Sequence, residues 1–206
     1  MKLYYAPGAC SIGIHILLEE IGRPYEAVAV DLRGGEHRQP AFMALNPKSK
    51  VPALVRDDGS LLTEFPAIAF WLARTHPAAK LLPDDLEAQT RALEVMEYVT
   101  ATVHMQGFSR ILHPERFAPT EADFGRVEAR GGEIVASGFR SLDRALGGRD
   151  YLLGDFSIAD AALFYVEFWA VRRRGMTLSP NLSAHFARML ARPAVARVLR
   201  REGVDH

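Results

Sequence analysis

The chain lacks the features that would place it in several broad classes. A single cysteine, Cys10, stands among its 206 residues. One thiol cannot form an internal disulfide, and without a resolving partner the Cys-x-x-Cys exchange chemistry is excluded, so any disulfide must be mixed or intermolecular. No apolar run approaches the roughly twenty residues that cross a bilayer; the longest, Ala159 to Val171, is interrupted by Asp160 and Glu167. Net charge is absent too, with 25 basic side chains balancing 25 acidic ones, so no global field draws the protein to nucleic acid or an anionic membrane. Met1 to Tyr5 lacks the apolar core of a secretory signal. The expectation is a protein of the reducing cytoplasm, with no metal, nucleic acid or membrane among its partners. Internal repeats and low-complexity tracts are missing as well.

What is present is ordinary for a globular chain: 49% hydrophobic and 24% charged residues, enough for one large domain or two small ones. The first eighty residues alternate short strand-like and helix-like segments, and the rest reads as helix almost throughout, which predicts an α/β domain followed by an all-α one. Lys2 to Tyr5 is β-prone, Ile12 to Ile21 has helical spacing up to a stop at Gly22-Arg23-Pro24, and Tyr25 to Val30 alternates as a second strand. Val51 to Val55 and Ser60 to Leu62 flank Asp58-Gly59, a hairpin signal. Glu64 to Thr75 then reads as a helix with Pro66 in its first turn. The order β-α-β-β-β-α makes a mixed four-stranded sheet.

Prolines 77 and 83 mark a linker, giving an expected division into residues 1–77, a linker at 78–84 and a helical domain at 85–206. In the last, Asp84 or Asp85 caps a helix running to about Ile111. The helix over 120–146 holds Gly125, Gly131, Gly132 and Gly138, each costing about 1 kcal/mol relative to alanine, which predicts a kink or break. Ser157, followed three residues later by Asp160, fits a capping box opening the apolar helix from Ile158 to Val171. Helices at 181–191 and 193–201 close the chain, and the arginines at 172–174 and in the tail read as solvated helix faces.

The lone cysteine sits in Ala6-Pro7-Gly8-Ala9-Cys10-Ser11, between strand and helix. There the unsatisfied N–H groups and the macrodipole favour negative charge, which lowers a thiol pKa; the same amides could equally hold a thiolate of another molecule, and an inert buried thiol is the third reading. Ser11 is either the helix N-cap or a second hydroxyl at the thiol. Val51-Pro52 opens a hairpin strand and is compatible with a cis bond that would turn the Val51 N–H and C=O outward to an extended peptide, although trans is the default. Glu64-Phe65-Pro66 opens a helix and offers a further anion site. Together these describe a groove for a small peptide carrying a thiol and carboxylates.

Five stretches spread over the chain, "MKLYYAPGACSIGIHI", "NPKSKVPAL", "LTEFPAIAFWLA", "VHMQGFS" and "YLLGDFSIADAALF", resemble the glutathione transferases, and within them the bacterial beta class. The resemblance implies a thioredoxin-like first domain, a homodimer, a cis Pro52, and glutathione as co-substrate bound between the domains. It places Cys10 against the glutathione sulfur, able to form a mixed disulfide, with Val51 pairing to the cysteinyl backbone and Glu64 and Phe65 at the γ-glutamyl end. His104 matches a histidine that reaches toward the thiol; judged on its own helix, beside Val103, Phe108 and Ile111, it could equally be a hydrogen-bonded interior residue. Pro7, Met105 and Phe108 are expected around a pocket for a small hydrophobic electrophile.

Two departures stand out. Phe65 occupies a position where many members carry serine, and the lysine often aimed at the glycine carboxylate is missing, with Arg33 or Arg38 as a substitute. The expected function is thiolate transfer from glutathione to an electrophile, or exchange through a mixed disulfide at Cys10. The alternative is a non-catalytic carrier or protein-binding module of the same fold.

Overall fold

The computed structural model describes residues 1–204. They form two compact units, residues 1–82 with 189–204 and residues 83–188.

In the first unit, β1 (Lys2–Tyr5) leads through α1 (Ser11–Ile21) to β2 (Glu26–Ala29), which pairs parallel to it. Gly22 ends α1 in the left-handed region at φ 71°, a conformation cheap only for glycine. A six-residue α2 (Pro40–Leu45) lies in a stretch read from sequence as loop, since one and a half turns are too short to show a period. The hairpin of β3 (Ala53–Val55) and β4 (Leu61–Thr63) turns through Gly59 at φ 81°, and α3 (Phe65–Thr75) follows. Strand order is β2-β1-β3-β4, with both later pairings antiparallel. Alternation along β1 serves both faces of the sheet: Tyr4 meets Phe42 of α2, whereas Tyr5 meets His15 of α1.

The second unit begins at α4 (Leu86–Glu97), whose N-cap Asp85 accepts from the Ala88 N–H. The helical path continues as a π-helix over Tyr98–Phe108 and closes with α5 (Ser109–Leu112). The long α6 (Phe124–Leu146) is a continuous helix, so the expected break at its glycines does not occur. Packing explains two of them. A Cβ on Gly131 would sit 2.8 Å from the Gly107 carbonyl oxygen and 2.9 Å from Arg110 Cβ, and one on Gly138 would sit 2.6 Å from Val103 Cγ2. The glycines therefore let α6 lie close against the π-helix. Gly131→Ala should destabilise by about 1–3 kcal/mol through overpacking. Gly132→Ala, half-buried but with nothing within 4 Å of an added Cβ, should stabilise by up to about 1 kcal/mol. Urea unfolding of the two variants checks the opposite signs.

Next comes α7 (Ile158–Phe168), opened by the reciprocal capping box of Ser157 and Asp160 and extended by a π-turn at Trp169–Arg173. Asp160 also accepts the Leu152 N–H at 2.9 Å. Behind it lies α8 (Pro180–Ala191), whose His185 places Nδ1 2.8 Å from Glu167 Oε2 and Nε2 3.4 Å from Asp160 Oδ1, all three side chains fully buried. Burial alone would lower the His185 pKa, but the Glu167 and Asp160 carboxylates reverse this and raise it to about 9. Burial pushes Glu167 up to about 7, with His185 opposing.

The last helix, α9 (Pro193–Glu202), packs on α1 and returns the end of the chain to the first unit, whereas the sequence division assigned everything from residue 85 to the second. Its buried stripe of Ala194, Val195, Val198 and Leu199 announces an apolar partner without naming which one. Of the tail arginines, Arg197, Arg200 and Arg201 are exposed as a solvated face has it, but Arg197 Nε also donates to Glu19 at 2.7 Å, and half-buried Arg192 donates its Nε–H to Glu20 at 2.8 Å. Arg172, Arg173 and Arg174 are exposed, the second lying over the Trp169 ring at 5.7 Å. Among the described residues no helix is long and apolar enough to cross a membrane, and no group of three or more His, Cys, Asp or Glu could hold a metal.

Candidate functional site

The site is built from the loop that joins β1 to α1. Cys10 is the N-cap of α1, partly exposed, and its Sγ–H points at the Val51 carbonyl oxygen 3.7 Å away. Ser11 is not the N-cap expected of it. It is the first helical residue, fully buried, and its Oγ accepts from the Ala6 N–H at 3.1 Å and donates to the Ala6 carbonyl at 3.3 Å. The hydroxyl closes the loop internally, and the thiol is the group left at the surface.

A second tie comes from far along the chain. Gly8, at φ 64°, donates its N–H to Glu202 Oε2 at 2.8 Å, while His15 Nδ1 bonds Glu202 Oε1 at 2.7 Å. Both side chains are 0% exposed. Glu202 thus anchors the loop two residues before the cysteine, a role with no local sequence signal.

Val51-Pro52 is cis, both residues are buried, and Val51 packs with Ala6, Val30 and Phe42. At the start of α3, Glu64 is exposed and holds φ 70°, a value rare outside glycine and frequent at functional positions. Its carboxylate accepts from Lys48 Nζ at 2.8 Å, and the same ammonium donates to Thr63 Oγ1 at 2.9 Å. Nothing in the local sequence pattern singles out Lys48, which pairs with Glu64 across 16 positions. The Phe65 ring is buried, so its side chain presents nothing polar here, and Pro66 has no N–H to offer. Arg33 and Pro7 are exposed, Arg33 in the turn after β2 and Pro7 in the cysteine loop.

In the second unit His104 stands partly exposed on the π-helix. Its Nδ1 lies 3.3 Å from the Tyr165 hydroxyl, and Trp169 meets its ring edge-on at 4.7 Å. Met105 beside it is 44% exposed. Phe108 is placed differently from the expectation of a pocket lining: it is fully buried, with its ring against Phe139 and Trp169.

Two family models cover most of the chain: the glutathione S-transferase N-terminal domain matches residues 8–75, and the C-terminal domain matches residues 126–201. The chain belongs to the glutathione S-transferase family. Glutathione S-transferase GstA of Escherichia coli is 35% identical, over 99% of this chain and all of its own length. Among solved structures of the family, a Sulfitobacter glutathione transferase homologue with bound glutathione superposes with a TM-score of 0.89 at 32% identity, covering 98% of both chains. A beta-class glutathione S-transferase of Sphingomonas chungbukensis gives 0.85 at 34%, covering 99% of this chain and 100% of its own. The mixed sheet followed by helices is the glutathione S-transferase fold.

Proposed function

We propose that the protein is a glutathione transferase of beta-class type, working as a cytoplasmic homodimer that presents the thiolate of glutathione to small hydrophobic electrophiles. The observation that carries this reading is the Sγ–H of Cys10 set against the Val51 carbonyl just before β3. A tripeptide lying extended along Val51 brings its own sulfur beside Cys10 at the positive end of α1, where an anion is favoured. Glu64 and the Phe65 backbone receive its γ-glutamyl end, Arg33 its glycine carboxylate, and His104 of the second unit serves its thiol. Pro7 and Met105 contribute to the electrophile side.

Two reactions follow. In conjugation the glutathione sulfur bonds to an electrophilic carbon, which releases its leaving group or takes up a proton. In thiol transfer the Cys10 thiolate attacks a disulfide of glutathione with a second thiol, releasing that thiol. A second glutathione thiolate then restores Cys10 and leaves as glutathione disulfide.

Calorimetric titration with reduced glutathione tests the binding step. Dissociation constants between the micromolar and low millimolar range are expected; no heat at several millimolar would overturn the proposal in favour of a non-catalytic carrier. Cys10→Ala is expected to abolish thiol transfer while conjugation survives, and equal loss of both activities would refute the division of labour.

A further inference from the structure

The hydroxyl of Tyr165 belongs to a residue of α7 that is otherwise wholly enclosed in apolar core, with 0% of its surface exposed. A buried phenol needs a hydrogen-bond partner, and this one meets Nδ1 of His104 at 3.3 Å. Two residues hold the imidazole: Tyr165, by that hydroxyl and by its ring at 5.6 Å and 78°, and Trp169 at 4.7 Å and 85°. It also stands on a π-helical stretch, a rare conformation that recurs at functional sites. A phenolic O–H is a strong donor whose oxygen lone pair is partly drawn into its ring, whereas a neutral imidazole nitrogen is a good acceptor.

We propose that Tyr165 is a positioning residue that donates its hydroxyl to His104 Nδ1, so that neutral His104 carries its proton on Nε2 and meets the glutathione sulfur as a hydrogen-bond donor. This rests on the reading that His104 serves the thiol. His104 then stabilises a thiolate already formed, and is not the base that removes its proton. No covalent change is required of either residue. The sulfur anion accepts the Nε2–H while it waits for the electrophile.

Two measurements test it. Nitrogen-15 spectra of the histidine side chains, with the His104 signals assigned by their loss in His104→Gln, should show the Nε2–H tautomer in the ligand-free protein and a mixture of tautomers in Tyr165→Phe. A Nδ1–H tautomer in the parent, or no change in Tyr165→Phe, would overturn the proposal. The thiolate absorbance of bound glutathione, followed against pH, should move to higher pH in both variants. In Tyr165→Phe, kcat for conjugation should fall roughly tenfold, the weight of one buried hydrogen bond, with KM for glutathione little changed. Combining the two substitutions should cost no more than His104→Gln alone; additive losses would show that Tyr165 acts independently of His104. If His104→Gln leaves the thiol titration unmoved while the tautomer result holds, the functional role of His104 fails and the positioning contact stands.

Discussion

Replacing Glu202 by alanine is expected to unfasten the cysteine loop and to destabilise the protein by about 2–6 kcal/mol. The figure comes from two buried donors left without their acceptor, the Gly8 N–H and His15 Nδ1, at about 1–3 kcal/mol each. His15 already carries one ring nitrogen, Nε2, with no hydrogen-bond partner, so the substitution would leave the whole imidazole unsatisfied between Tyr5 and Tyr25. Glu202→Gln separates anchoring from charge. Its amide oxygen can still accept from one of the two donors, so it should cost less than half as much as alanine. Urea denaturation gives the stability, and the rate at which a neutral alkylating reagent modifies Cys10 gives the state of the loop. The alkylation rate should rise in Glu202→Ala as Gly8 is released. An unchanged rate together with unchanged stability would show that the contact is incidental.

The second large effect lies in the core of the other unit. His185→Ala should cost about 3–5 kcal/mol, the loss expected when one member of a buried ion cluster is removed and its charge is left uncompensated. Here the stranded group is the Glu167 carboxylate, whereas Asp160 keeps its bonds from Leu152 and Ser157. The parent protein should also lose stability as pH rises. His185 is raised from an ordinary 6.5 to about 9, against the effect of burial, by its two carboxylate neighbours. Its contribution is complete below pH 6.5 and disappears as pH passes through 9. Glu167, raised by burial from 4.5 to about 7, acts in the same sense, because the folded state holds its proton over a range where the unfolded chain has released it. Stability should therefore decline from mildly acid to mildly alkaline conditions, and thermal melts from pH 5 to 9 would show it. The slope should flatten in the double variant Glu167→Gln/His185→Gln. A profile that rises toward pH 9 would refute this account.

Local pattern accounts for what was legible beforehand. The strand Lys2–Tyr5, the Asp58-Gly59 hairpin turn and the Ser157–Asp160 cap are each written within a few consecutive residues, and each forms where the spacing put it. Cys10 at a helix start is of the same kind. Ser11 shows the limit of such reading: serine at a helix N-terminus suggests a cap, yet this hydroxyl turns back to Ala6 because the loop before it closes tightly. Partners distant in sequence had no signature. Glu202 to Gly8 spans 194 positions, His185 to Glu167 spans 18, and Lys48 to Glu64 spans 16. Glycines 131 and 138 read as helix breakers because propensity describes an isolated helix, and tertiary contact reverses their meaning.

The 194-residue separation between Gly8 and Glu202 also has a consequence in time. A ribosome adding about 5–20 residues per second needs on the order of 10–40 s to travel that distance. During that interval the strand, the thiol and the first helix emerge while the carboxylate that fastens them has yet to be made. The nascent chain therefore carries its cysteine on an unfastened loop until residue 202 has been added, and a segment made later completes one made much earlier.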